Sequence, residues 1–204
     1  VQLPFAYMSC SGGLNEAHLL GRSIPNVQTG EAVYVPSEYV KSYENGGVFL
    51  LDEIDAADPN VLIVLNASLA NGVLALPNRV QKPYAEKHKD FICLVAANTF
   101  GRGSSRMYVG RNQIDEATLD RFRIGMVTMD YSEKIETHIC PDKNLYMSLR
   151  KWRARIEASG MRRVLSTRFM GQAYRLMVQK NWDSKKIFQA LTTGWTTDEI
   201  AKVQ

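Results

Sequence analysis

Cysteine is scarce in this chain: Cys10, Cys93 and Cys140 are far apart and odd in number. Cys10 and Cys93 sit in apolar, strand-like runs, so buried thiols in a reducing cytoplasm are expected rather than a disulfide framework. Histidine is equally sparse, and His18, His88 and His138 show no ligand spacing with the cysteines or with each other, so no zinc site is expected. No apolar run approaches the ~20 residues of a membrane span. Val1 leads directly into strand-like sequence with no basic n-region, so no signal peptide is expected either, and the expected location is cytoplasmic. There is no internal repeat and no low-complexity tract. What is present is ordinary: 45% hydrophobic and 23% charged residues in a length of 204, enough for one large domain or a domain with a small companion.

The net charge of +4 hides an asymmetry. Residues 1–131 hold 11 Lys/Arg against 14 Asp/Glu, and residues 132–204 hold 14 against 7, so a boundary near 131 is expected. The densest basic run is Arg150-Lys151-Trp152-Arg153-Ala154-Arg155, with Arg162 and Arg163 beyond. Such a run suits nucleic acid phosphates, and it suits equally the solvated face of a helix or a subunit contact.

The most informative stretch is Gly46-Gly47-Val48-Phe49-Leu50-Leu51-Asp52-Glu53. Four apolar residues form a short strand, and two adjacent carboxylates come at its end. Phosphoanhydride hydrolysis uses that arrangement: the first carboxylate holds Mg²⁺, directly or through water, and the second orients and deprotonates the attacking water. A core strand ending in an acidic turn is the plainer alternative. The usual partner motif is missing, because Gly-x-x-x-x-Gly-Lys-Ser/Thr occurs nowhere in the sequence. Gly12-Gly13 and Gly101-Arg102-Gly103-Ser104 are the nearest glycine clusters, and neither carries the lysine that would reach the β- and γ-phosphates.

Four buried strands are predicted at Pro4–Ser9, Val48–Leu51, Phe91–Ala96 and Ile124–Met129, each a short apolar run suited to a parallel sheet covered on both faces. Asp58-Pro59 starts a helix, with Val61, Leu62, Leu65 and Leu69 on one face and Asn71-Gly72 as its stop. Val73–Leu76 and Arg79–Tyr84 flank Pro77-Asn78 as a small hairpin. From Ser132 the pattern is helical, with segments near 132–139, 142–158, 166–179, 184–191 and 196–202.

Three further features come in order along the chain. Phe91–Ala97 is an apolar run ending at Asn98, an amide able to position water beside the two carboxylates, or simply a strand-ending asparagine in a turn. Leu119-Asp120-Arg121-Phe122 closes a helix, and an arginine there can reach a neighbouring subunit or pair with Asp120 or Asp115. Leu165-Ser166-Thr167-Arg168-Phe169 opens a helix in the basic part of the chain and places Arg168 in its first turn.

This series resembles the AAA+ superfamily, in particular its dynein-related, MoxR-like branch. Ala97–Gly103 with Tyr108-Val109-Gly110, Gln113-Ile114 and Leu119–Phe122, together with Ala32–Asp55, is similar to the ATPase small subunit of cobaltochelatase and to phage-encoded ATPases. The resemblance covers residues 3–131 well and the remainder in outline. It implies an α/β fold, a P-loop-type parallel sheet core over residues 1–131 lacking its first strand and P-loop, then a small all-α lid over 132–204. It implies ATP and Mg²⁺ as ligands, Asp52 for the metal, Glu53 as base, Asn98 as sensor 1, Arg121 as trans arginine finger with Arg123 as rival, and Arg168 as sensor 2. It implies a ring of identical subunits, a hexamer, acting on a protein or metallocofactor-enzyme client, with the hairpin around Pro77–Gln81 facing the pore or client. In the family's sheet the P-loop strand lies between the strand ending at Asn98 and Ile124–Met129; a sheet without it would expose two edges, so a fragment of a longer chain is expected. A non-hydrolytic assembly module and a nucleic-acid-handling motor are the alternatives.

Overall fold

The computed structural model describes residues 2–104, 108 and 110–204 and has two compact units, one ending at Met126 and one running from Val127 to Gln204. Val109, part of the stretch similar to known ATPases, lies outside the described residues. The fold is α/β: a parallel sheet with helices, then an all-helical unit.

In the first unit, β1 (Phe5–Ser9), β4 (Gly47–Asp52) and β7 (Phe91–Val95) form a three-stranded parallel sheet with β4 in the middle. Gly47 starts the central strand at φ 140°, where a Cβ would lie 3.0 Å from the Pro4 carbonyl oxygen, so glycine allows the close approach to β1. Phe49 and Leu51 point into the core and meet Tyr39, Val40 and Tyr43 of α2 (Glu38–Asn45) and Val61, Leu62 and Leu65 of α3 (Pro59–Asn71). The rings of Phe49 and Phe91 meet Tyr39 edge-on, with centroids 5.2 and 5.7 Å away. The buried hydroxyls are satisfied: Tyr39 shares a 2.7 Å hydrogen bond with Ser68 Oγ, and Tyr43 donates to the Ser68 carbonyl at 2.7 Å.

The other face of the sheet is a correction to the expectation of strands buried on both sides. Phe5, Val48 and Ile92 stand in one registered row, and Tyr7, Leu50 and Leu94 in the next. Phe5 and Tyr7 are exposed by 61% and 69%. Hydrophobic run length alone does not tell a strand covered once from a strand covered twice.

Three smaller elements extend this unit. Helix α1 (Glu16–Leu20) leads to an antiparallel pair, β2 (Arg22–Pro25) with β3 (Ala32–Val35). Helix α3 begins and ends as expected, with Asp58 accepting from Asn60 N at 2.8 Å and Gly72 as a left-handed cap. Hairpin β5 (Val73–Ala75) with β6 (Tyr84–Glu86) forms, but its second strand starts at Tyr84 rather than Arg79. Arg79 is occupied otherwise: its guanidinium donates to both Glu44 carboxylate oxygens at 2.9 and 2.8 Å and to the carbonyls of Lys82 and Tyr84, and Pro83 has no N–H for a ladder.

A second correction concerns Ile124–Met129. No strand forms there. After α4 (Glu116–Phe122), Arg123–Gly125 make one 3₁₀ turn, and Ile124, Val127 and Met129 are exposed. A strand needs a neighbour for its backbone groups, and among the described residues no strand lies between β7 and this run.

The second unit comprises α5 (Glu133–Ile139), α6 (Lys143–Ala158), α7 (Thr167–Lys180), α8 (Ser184–Leu191) and α9 (Thr197–Ala201). Ser132, Asp142, Ser166, Asp183 and Thr196 cap them, each side chain accepting from the backbone N–H three residues on. Leu145, Leu149, Ile156, Leu165, Met170 and Ile187 are among its core. The basic run is divided: Arg150, Lys151 and Arg162 are exposed, Arg155 and Arg163 are half-buried, and Arg153 lies in the core. Arg153 is buried and donates to Glu136 through two nitrogens at 3.0 and 2.7 Å and to the Leu165 carbonyl at 2.8 Å, with its guanidinium 3.6 Å from the Tyr131 ring centroid. Arg155 donates to the Val203 carbonyl at 2.8 Å, and Arg163 grips Glu199 at 3.0 and 2.8 Å. No helix among the described residues is long and apolar enough to cross a membrane.

Candidate functional site

The three parallel strands end in line. Ser9 stands opposite Asp52, and Leu51 opposite Val95. The ladder runs on past them: Cys10 N donates to the Asp52 carbonyl at 2.7 Å, Ala96 N to Leu51 at 2.9 Å, and Ile54 N to Ala96 at 2.9 Å. Backbone pairing therefore seats Asp52 and Glu53 beside the turn containing Asn98. Asp52 and Asn98 are exposed and Glu53 is half-buried.

Glu53 sits at φ 56°, ψ 40°, in the left-handed region that a residue with a Cβ enters at a cost of about 1–3 kcal/mol. Its N–H donates to Asp52 Oδ1 at 3.0 Å. The next three residues hold the strain: Ile54 is buried in the core, and the 3₁₀ turn Ile54–Ala56 carries the fully buried Asp55. Asp55 Oδ2 accepts from Thr99 N at 3.0 Å and Thr99 Oγ1 at 2.8 Å, which fixes the residue next to Asn98. Asp55 Oδ1 makes no hydrogen bond and faces Arg111 Nη1 at 3.4 Å, while Arg111 Nη2 lies 3.3 Å from Glu53 Oε1. Asn112 adds its N–H to the Asp55 carbonyl at 2.7 Å and Nδ2 to the Ala57 carbonyl at 2.9 Å. Asp55, Thr99 and Arg111 were not singled out by sequence reasoning; a lone arginine or aspartate in a loop carries no local signal of burial.

The thiol of Cys10 beside this turn is pushed up to about 11, first by burial and then by the charges of Asp52, Glu53 and Asp55. Burial pushes Cys93 up to about 12. Both stay protonated at neutral pH and offer no nucleophile. An open cavity of about 430 Å³, lined by Gly12, Gly13, Leu14, Asn15, Asp58 and Asn60 among others, includes neither Asp52 nor Glu53.

The two candidate finger arginines differ in their partners. Arg123 makes ion pairs with Glu116 at 2.6 Å and Asp120 at 3.8 Å. Arg121 is exposed and makes no ion pair among the described residues; its Nε donates to Asn66 Oδ1 at 3.1 Å. Asn66 donates in turn to Thr118 Oγ1 at 2.5 Å, and Thr118 donates to the cap Asp115 at 2.7 Å. The Thr118 hydroxyl and N–H hold the Asp115 carboxyl below the usual carboxylate range. Asn66 is a further residue that sequence reasoning missed.

In the second unit, Arg168 is exposed in the first turn of α7. Its neighbour Thr167 donates to Glu136 Oε1 at 2.7 Å, and the same carboxylate is gripped by Arg153. Burial opposes the charge on Glu136, but Arg153 and Thr167 outweigh it and hold the carboxyl below its ordinary value. The buried pair thus fixes the start of the helix that carries Arg168.

Residues 1–122 match the family of AAA domains of the dynein-related subfamily. An uncharacterized protein of Staphylococcus epidermidis is 29% identical over 137 residues, and one of Staphylococcus aureus is 30% identical over 134; each match covers 64% of this chain and 47% of the relative. The chain spans about half the length of these curated relatives. A crystal structure from Cytophaga hutchinsonii, described provisionally as an ATPase, aligns over 95% of this chain and 78% of its own, at 12% identity and a TM-score of 0.38.

Proposed function

The chain belongs to the dynein-related subfamily of AAA domains, and from that premise we propose that it supplies the water-activating part of an ATPase that remodels a protein or metallocofactor-enzyme client. The observation that carries this reading is the shared end of β4 and β7, where Asp52 and Glu53 stand beside Asn98 on a backbone held in the left-handed region at Glu53. Two adjacent carboxylates and an amide are a hard-oxygen donor set suited to Mg²⁺, which takes one or two protein carboxylates with the rest from phosphates and water. Asp52 would hold the ion, and the ion when bound neutralises charge on the phosphates. Glu53 accepts the proton of the attacking water, and Asn98 orients that water by hydrogen bonding. Arg121 offsets transition-state charge in the site of a neighbouring subunit of a hexameric ring; its support is a guanidinium without an ion pair among the described residues, where Arg123 is neutralised twice. Arg168, exposed in the first turn of α7, is assigned the role of sensor 2.

The sequence contains no Gly-x-x-x-x-Gly-Lys-Ser/Thr. The ATPase reading therefore requires a phosphate cradle that these residues do not supply, and on it the 204 residues alone are expected to bind ATP weakly and turn it over negligibly. A non-hydrolytic assembly module is the second reading that this observation favours. A nucleic-acid motor would have to rely chiefly on the exposed Lys151 and Arg162, since Arg153, Arg155 and Arg163 are engaged within their own unit and Arg150 pairs with Glu133.

The test uses the full-length protein. Glu53→Gln keeps the shape and hydrogen bonding of the side chain and loses its basicity, so it should bind MgATP and lose about 100-fold or more in turnover. Turnover near wild type in that variant removes Glu53 from the role of base. No ATP turnover by the full-length wild type leaves the assembly-module reading.

A further inference from the structure

We propose that Arg111 is a positioning residue for Glu53, braced on the buried carboxylate of Asp55; the inference rests on the ATPase reading of this site. Arg111 spans the two acids with separate nitrogens, 3.3 Å to Glu53 and 3.4 Å to Asp55, and its side chain is only 14% exposed. Asp55 is fully buried, and no other cation pairs with it among the described residues. A buried carboxylate needs such a partner, so the guanidinium has a fixed end. From that end the planar fork reaches Glu53 in one direction only. The brace is stitched down on both sides. Ser104 Oγ donates to the Arg111 carbonyl at 3.0 Å and accepts from Arg111 N at 3.1 Å, and Asn112 bonds to the Asp55 and Ala57 carbonyls. Thr99, on the same Asp55, holds the turn that carries Asn98. One buried carboxylate therefore sets the positions of two groups that act on the same water, one through Thr99 and one through Arg111. Among the described residues the Glu53 carboxylate has no other side-chain partner, and without Arg111 it would rotate freely.

The experiment is steady-state ATP hydrolysis by the full-length protein, with thermal midpoints measured alongside. Arg111→Ala should lower kcat about 10- to 100-fold with KM within about twofold, since misplacing a catalytic group costs turnover rather than substrate binding. Arg111→Lys keeps the charge but not the fork, and should recover part of that loss. A role in folding alone is separated by Asp55→Asn combined with Arg111→Gln, which removes both charges of the buried pair and leaves Thr99 an acceptor. That double variant should melt near wild type and still turn over at least about tenfold slower. Full recovery of turnover in the double variant, or unchanged kcat in a folded Arg111→Ala, overturns the proposal. Glu53→Gln is the control. Its inactivity beside a fully active Arg111→Ala sinks only the brace, whereas a wild type without ATP turnover sinks the ATPase reading and the brace with it.

Discussion

The unit ending at Met126 places Asp52 and Glu53 through main-chain hydrogen bonds, whereas the unit from Val127 places Arg168 through side chains. In the first, the parallel ladder β1–β4–β7 runs past the strand ends and fixes the backbone of the turn, and Asp55 and Arg111 then orient the side chains on it. In the second, a capped helix start is tied to one buried ion pair, Arg153 with Glu136. Backbone placement is stiff and tolerates many sequences. Placement by a buried pair depends on two residues, and loss of either leaves a charge in the interior. The two regions should therefore respond differently to single substitutions.

The largest expected effect lies in the first unit and concerns chemistry rather than stability. Arg121→Ala in the full-length protein should reduce turnover by about 10³-fold with little change in nucleotide affinity of a dilute monomer. Mixing Arg121→Ala subunits with Glu53→Gln subunits should restore part of the activity, because a mixed ring can pair an intact Glu53 with an intact Arg121. No recovery in verified mixed rings means that Arg121 acts within its own subunit or only through Asn66, and Arg123 becomes the candidate.

Next comes the buried pair. Arg153→Met leaves the buried Glu136 carboxylate without its cation, held only by the Thr167 hydroxyl, with an expected loss of about 3–5 kcal/mol in the helical unit. Adding Glu136→Leu should return much of it. Urea unfolding monitored through Trp152, Trp182 and Trp195, all in that unit, reports the change. If Arg153→Met unfolds as wild type does, the contrast between the two units collapses.

The smallest effect is a pH dependence. Glu136 and Glu199 both have carboxyls held below their ordinary value of 4.5, Glu199 at about 2 through Arg163 and the Thr196 cap. A depressed folded value contributes stability that is present above the unfolded value and is lost as pH falls through the folded one. The helical unit should hold its full stability above about pH 5 and lose it progressively toward about pH 2. Arg163→Met should remove a part of this acid-side slope, a small one because Glu199 is at the surface. A slope unchanged in Arg163→Met would show that the ion pair contributes nothing to it.

Local signals account for much of the fold. The apolar runs of β1, β4 and β7 are strands, Asp58-Pro59 and Gly72 bound α3, and five capping residues open the helices of the second unit. Each is a short-range matter of backbone preference or of a side chain bonding to a nearby N–H. The failures are long-range. Ile124–Met129 has the composition of a strand but no strand beside it among the described residues, and Arg79 has the composition of a hairpin arm but is drawn away to Glu44, 35 residues back. Of the candidate site, Asp52, Glu53, Asn98, Arg121 and Arg168 could be proposed from the sequence because each stands near the end or start of an element with a clear pattern. Asp55, Thr99, Arg111 and Asn66 were not. Their roles come from contacts between distant parts of the chain, 44 positions for Thr99 with Asp55 and 55 for Arg121 with Asn66, which no spacing announces.

By itself the sequence determined the strands that end at the carboxylates and the helices opened by capping residues, and it placed two carboxylates at a strand end, but it misassigned Ile124–Met129. Periodicity, caps and turn residues act within a few positions of one another. Tertiary structure alone decided that Asp55 is buried, that Arg111 bridges it to Glu53, and that Arg153 is a core residue rather than part of a basic surface. Burial and charge pairing depend on which distant segments meet, and only the folded chain brings them together.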